Sequence, residues 1–137
     1  MPTTITCRYE GALRCTATHA ASGAALITDA PLDNQGKGES FSPTDLVGTA
    51  LATCVLTVMG IVAERHGIAL EGTTVRVEKT MTSGGLRRIA LLEAWIELPA
   101  GLAPDQHQLL VRAGETCPVK VSLEGNVPMQ LHWSPQG

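Results

Sequence analysis

The chain has 137 residues, of which 44% are hydrophobic, 17% charged and 3% aromatic, with a formal net charge of -3. That length fits one domain, residues 1–137, burying roughly 68% of its unfolded surface, and the apolar content excludes a disordered chain. Ten Lys plus Arg with no basic run leave no electrostatic footprint for a phosphate backbone, so no nucleic-acid partner is expected.

Residues 4–9 alternate, with Ile5, Cys7 and Tyr9 on one side and Thr4, Thr6 and Arg8 on the other, which is the period of a strand. Glu10-Gly11 is read as the turn. Residues 12–19 alternate again, and a third short strand is predicted over 24–29, making an N-terminal antiparallel meander. The stretch 33–39, Asp-Asn-Gln-Gly-Lys-Gly-Glu, offers no core side chain and reads as the most mobile loop.

A long helix follows. Ser42 can cap it, Pro43 suits its first position, and Asp45 three residues after Ser42 imitates a capping box. Arg65 and His66 before Gly67 mark the other end, so the helix runs roughly 35 Å. Residues 46–62 carry no charge, but Gly48, Thr49, Thr53, Thr57 and Gly60 dilute the run, and 17 residues is the lower edge of a membrane span. A central helix covered on several sides is the simpler reading, with no membrane partner.

Strands are predicted over 74–82 and 87–98 around a turn at Ser83-Gly84-Gly85, and Leu91-Leu92 points to two-sided burial or a bulge. A second helix is expected from Pro104 to about Cys117, where Pro118 ends or kinks it; Leu109, Ala113 and Cys117 share a stripe. Residues 127–133 form the last strand. The order β-β-β-α-β-β-α-β is α+β with antiparallel sheets. A long apolar helix needs more cover than one such chain easily supplies, which implies a homodimer.

Residues 1–8 lack the positive flank and apolar run of a signal peptide, so a cytoplasmic location is expected. In a reducing compartment Cys7, Cys15, Cys54 and Cys117 are not expected to form static disulfides. Cys54 lies mid-helix with Ala50, Val58 and Ile61 at helical spacing, where a free cysteine commonly acts as a small hydrophobe. Cys117 is open to the same reading, although Pro118 frees backbone groups and space beside it. If the two helices cross near these residues, the sulfurs fall within disulfide range. Cys7 and Cys15 read as strand packing, and Trp95 and Trp133 as strand core or the lining of an apolar pocket. His19, His66, His107 and His132 lack the spacing of a zinc site, and Gly36-Lys37-Gly38 lacks a phosphate-loop frame, so neither metal nor cofactor is expected.

Ser42-Pro43-Thr44-Asp45-Leu46, Ala50-Leu51-Ala52-Thr53-Cys54, residues 64–72 (Glu-Arg-His-Gly-Ile-Ala-Leu-Glu-Gly) and Cys117-Pro118-Val119 together resemble the OsmC/Ohr family of osmotically inducible and organic hydroperoxide resistance proteins, and its OsmC-like branch most. The resemblance spans residues 36–127. It implies an intertwined homodimer in which antiparallel sheets wrap two central helices, and a thiol peroxidase acting on organic hydroperoxides. By that likeness Cys54 is the peroxidatic cysteine, Cys117 resolves it to a disulfide, and an external dithiol is the reductant. It also implies a thiolate-stabilising arginine from an N-terminal strand, Arg14 with Arg8 behind it. The family holds that arginine with a glutamate ten residues before the first cysteine; Thr44 stands there here, leaving Asp45 and Glu39 as the candidate carboxylates. The alternative function is a non-enzymatic dimer that binds an apolar or lipid-like ligand, its cysteines packing or sensing oxidation.

Overall fold

A computed structural model describes residues 1–135. The elements in chain order are β1 (Ile5–Gly11), β2 (Arg14–His19), β3 (Ala25–Asp29), α1 (Pro43–Arg65), β4 (Thr74–Met81), β5 (Ile89–Glu97), α2 (Pro104–Glu115), α3 (Pro118–Leu123) and β6 (Met129–Trp133), with one 3₁₀ turn at Leu32–Asn34. This is an α+β fold of two three-stranded sheets and three α-helices. The chain forms two compact units, divided after Val47.

In the first unit β1, β2 and β3 pair as an antiparallel meander. The first turn lies later than Glu10-Gly11: Gly11 still pairs with Arg14, and Ala12 and Leu13 make the turn with φ of 53° and 63°. Positive φ at both central positions matches the right-handed twist of a hairpin, so the two-residue loop prevails over the glycine signal. The loop after β3 is organised by the backbone. Asp29 N–H donates to Phe41 O (3.0 Å), Gly36 N–H to Pro31 O (2.9 Å) and Gly38 N–H to Ala30 O (3.2 Å). Gly36 is required there, because a Cβ would stand 1.7 Å from Ala30 O.

The capping box at the start of α1 is complete: Asp45 N–H donates to Ser42 Oγ (3.1 Å) and Ser42 N–H to Asp45 Oδ2 (2.8 Å). At the other end Gly67 takes φ 63° and Ile68 N–H reaches back to Ala63 O (2.9 Å), a Schellman stop.

The second unit packs α1 on the sheet β4-β5-β6. Gly48 lets the helix approach, since a Cβ there would lie 3.3 Å from Val77 Cγ1 and 3.7 Å from Leu92 Cδ2. Leu51, Val55 and Met59 of α1 are fully buried, as are Leu92 and Ala94 of β5 and Leu110 of α2, with Ile96 nearly so. Each large apolar side chain buried in this way contributes roughly 1.5–3 kcal/mol. Strand β5 alternates as its sequence requires, Leu92, Ala94 and Ile96 inward and Glu93, Trp95 and Glu97 outward. Opposite Thr80 and Met81 the partners are Leu91 and Ile89, so a bulge sits at Ala90, beside the Leu91-Leu92 pair.

Two further expectations need correction. The second sheet is mixed rather than antiparallel, because β6 joins β5 in parallel register, Leu92 opposite Met129 and Ile96 opposite Trp133. The crossover through α2 and α3 permits this, as parallel neighbours need a connection of a dozen residues or more. And α2 stops at Glu115, two residues short of Cys117. The residue before a proline is forced out of the helical region, so Cys117 becomes extended (φ -63°, ψ 146°), and Pro118 opens the third helix instead of kinking the second.

Candidate active site

Cys54 sits one residue before fully buried Val55, on a half-buried face of α1 that it shares with Ala50 and Val58. Cys117 is fully buried as the N-cap of α3. The Cys54 thiol lies near enough to the Cys117 thiol to disfavour its ionisation. The approach of the helices that makes this possible is carried by Gly114, where a Cβ would lie 3.2 Å from Val55 Cγ1. Both cysteines are free thiols.

The surroundings of Cys117 set its protonation. Burial pushes its thiol up from the ordinary value, and the Cys54 thiol adds to that rise; the N–H groups of Lys120 and Val119 oppose both. The Lys120 N–H reaches the Cys117 sulfur at 3.4 Å. Around this elbow the Lys120 ammonium meets Glu124 Oε1 (2.6 Å) and Glu115 Oε1 (3.5 Å), while Trp133 Nε1–H donates to Glu115 Oε2 (2.8 Å). The Trp133 ring lies over Gly114, so close that a Cβ would fall 2.3 Å from its Cη2.

In the first unit Arg14 is held by carboxylates. Its Nε donates to Asp29 Oδ1 (2.7 Å) and its Nη2 to Asp29 Oδ2 (2.9 Å) and Glu39 Oε1 (3.2 Å). Asp29 Oδ2 also accepts the Glu39 N–H (3.0 Å), and Asp29 is only 3% exposed. The fork-to-fork pair holds the Asp29 carboxyl below the usual carboxylate range, against the opposing effect of burial, and raises the Arg14 guanidinium above its own. Glu39 thus meets Arg14, whereas Asp45 serves the Ser42 cap. Arg8 instead pairs with Glu10 at the exposed edge (3.0 Å).

Asp29, Glu115 and Lys120 are residues that the sequence did not single out, and Trp133 was read only as strand core or pocket lining. Asp29 becomes the partner of Arg14 through the register of β3 on β2. The cluster of Glu115, Lys120 and Trp133 depends on β6 returning beside β5.

The remaining candidates lie elsewhere. Cys7 is exposed and Cys15 half-buried, on the face of the first sheet that also carries Ile5, Tyr9 and Leu26. Trp95 is sandwiched on the outer face of the second sheet, Arg76 4.0 Å from its ring centroid on one side and His132 5.2 Å on the other. His132 also meets Glu93 (2.7 Å), His107 meets Ser134 O (3.1 Å) and His19 meets Ser22 Oγ (2.6 Å). Among the described residues no group of three His, Cys, Asp or Glu side chains is arranged to hold a metal ion.

The OsmC-like protein family matches residues 36–132 of the chain. A crystal structure from Psychrobacter arcticus 273-4, of a protein provisionally named for osmotic stress induction and a detoxification response, is 39% identical over 96% of this chain and 94% of its own, with a TM-score of 0.86. An organic hydroperoxide resistance protein OsmC from Legionella pneumophila shares the fold at 20% identity, TM-score 0.76, over 98% of both chains. OhrB of Bacillus subtilis, an organic hydroperoxide resistance protein, does so at 19% identity and TM-score 0.71, again over 98% of both. No curated protein matches the chain in sequence.

Proposed function

Because the chain belongs to the OsmC-like family, we propose that it is a thiol-dependent peroxidase that reduces organic hydroperoxides to alcohols. The observation that carries this reading is the pair of neighbouring free thiols, Cys54 half-buried and Cys117 fully buried. Hydroperoxide resistance in the names of the Legionella and Bacillus relatives supports it.

In the proposed cycle the Cys54 thiolate attacks the distal oxygen of the hydroperoxide, the O–O bond breaks, and the alkoxide leaves as alcohol after taking a proton. The Cys54 sulfenic acid then condenses with Cys117, releasing water and forming a disulfide. An external dithiol returns the pair to thiols. The apolar neighbours of Cys54 on α1, Leu51, Val55 and Val58, favour an organic tail over hydrogen peroxide, because the tail gains by burial. Arg14 is proposed as the cation that favours the thiolate. Its carboxylate partners Asp29 and Glu39 take the part that the family gives to a glutamate at the Thr44 position.

The working form is proposed to be a cytoplasmic homodimer. Ile5 (61%), Tyr9 (63%) and Leu26 (45%) leave an apolar face of the first sheet exposed, and a hollow of about 180 Å³ between Ile5, Ala17 and Leu26 is open on it. A face of that kind on a folded chain marks an interaction surface.

The test is to mix reduced protein with one equivalent of cumene hydroperoxide or, separately, hydrogen peroxide, then count thiols and map disulfides by mass spectrometry. A fast Cys54–Cys117 bond with the organic peroxide is the expected result. Four intact thiols in folded protein would overturn the proposal in favour of a binding role.

A further inference from the structure

The two thiols differ in what can reach them. Cys54 is half-buried, while Cys117 has no exposed surface. Cys117 is also fixed by its backbone, its N–H donating to Gly114 O (3.3 Å) and its carbonyl accepting from Val121 N–H (3.0 Å). The elbow that carries it is braced by Trp133, which covers Gly114 and is bonded to Glu115, and by Lys120 between Glu115 and Glu124. Uncovering the Cys117 sulfur would mean displacing packed protein.

Thiol–disulfide exchange depends on which sulfur a nucleophile can approach, and the attack runs along the S–S axis from the side opposite the bond that breaks. Cys117 has no exposed surface by which a nucleophile could approach its sulfur. From this asymmetry we propose that, when a disulfide joins the pair, the reducing thiol enters only at Cys54, and Cys117 is always the leaving group. The inference rests on the reading of the two residues as a redox pair.

The electrons balance as follows. One thiolate of a small dithiol bonds to the Cys54 sulfur, the S–S electron pair departs on Cys117, and the products are a mixed disulfide on Cys54 and a Cys117 thiolate. The Lys120 N–H, 3.4 Å from the Cys117 sulfur in the free-thiol form, is placed to receive the leaving thiolate. Cys117 takes up a proton. The second thiol of the reductant, as its thiolate, then attacks the reductant sulfur of the mixed disulfide and releases Cys54 as thiolate. Two electrons pass from the dithiol to the protein; of the two protons the dithiol gives up, one is matched by the proton taken up at Cys117 and the other stays in solvent while Cys54 is a thiolate. Peroxide and reductant therefore use the same sulfur in alternate halves of the cycle.

The experiment uses the full chain carrying Cys7→Ser and Cys15→Ser, so that only the pair remains. The disulfide is made with diamide, which needs no peroxidase activity, and is then opened with glutathione, a monothiol that cannot complete the second step. After acid quenching at early times, peptide mapping should find the glutathionyl group on Cys54 and a free thiol at Cys117. Glutathione on Cys117, or shared evenly, would overturn the proposal, as would failure of diamide to join the two residues in folded protein. If the disulfide opens at Cys54 while organic hydroperoxide leaves the reduced thiols intact, the peroxidase reading fails and the exchange direction stands.

Discussion

Cys54→Ser removes the sulfur on which the proposed chemistry begins, so turnover of organic hydroperoxide should be abolished. Cys117→Ser should consume about one equivalent and stop, with the sulfenic acid unresolved and open to further oxidation. Stoichiometric peroxide consumption, followed by mass spectrometry, separates the two. Arg14 makes a different kind of residue-scale prediction through Asp29. Because the Asp29 carboxyl is held below its ordinary value, its stabilising contribution is complete above about pH 4 and is lost as pH falls through the depressed value. Asp29→Asn should therefore be less stable than the native chain at neutral pH, and the difference should close on acidification. Urea midpoints measured across the acid range check this, and a gap that stays constant with pH would contradict it. Cys117 was expected on the second helix, which ends two residues before it; Arg14 was legible in the sequence as a strand residue and Cys54 as a helical thiol. The carboxylate was not, because Asp29 becomes the partner only through the cross-strand register that sets it beside Arg14.

Two elements carry local geometry that substitution can read. Ala12 and Leu13 both adopt positive φ, which non-glycine side chains resist. Replacing them with Asn and Gly, the residues that such a two-residue hairpin favours, should stabilise the chain by about 1 kcal/mol in denaturant unfolding. Gly36→Ala should do the opposite. Its Cβ would meet Ala30 O at 1.7 Å, so the loop must shift, at a cost of about 1–3 kcal/mol and with a lower melting temperature. The capping box of Ser42 and Asp45 and the Gly67 stop were legible because they follow from short-range chemistry, whereas the Glu10-Gly11 turn signal was overruled by the two-residue loop at Ala12-Leu13. The Cys117 step was misjudged, because a proline after an apolar stripe is equally compatible with a kink and with the start of a new helix. The structure takes the second course, with the Cys117 sulfur accepting the Lys120 N–H.

At the scale of the molecule the outstanding feature is apolar surface left without cover. Only 33% of the most hydrophobic window of α1 is buried, and that helix is long and apolar enough to cross a membrane on length and composition alone. Leu51, Val55 and Met59 are nevertheless fully buried against the protein's own second unit, which a lipid-facing helix would not require. The proposed homodimer accounts for the remainder. Tyr9→Asp, placed on the exposed apolar face of the first sheet, is expected to shift sedimentation from dimer toward monomer, while Thr6→Asp on the opposite face of the same strand leaves it unchanged. A native chain that sediments as a monomer would remove the dimer from the proposal.

The sequence by itself determined the α+β class, the order of strands and long helix and the caps of α1, because each rests on periodicity or on contacts a few residues apart; the roles proposed for the two thiols come from the family resemblance. Tertiary structure decided the parallel docking of β6 on β5, the bidentate hold of Asp29 on Arg14, and the burial that separates Cys117 from Cys54. These depend on which strand edge is filled and in what register, and no short-range pattern encodes that choice. It is set by how apolar surface is covered across the whole chain.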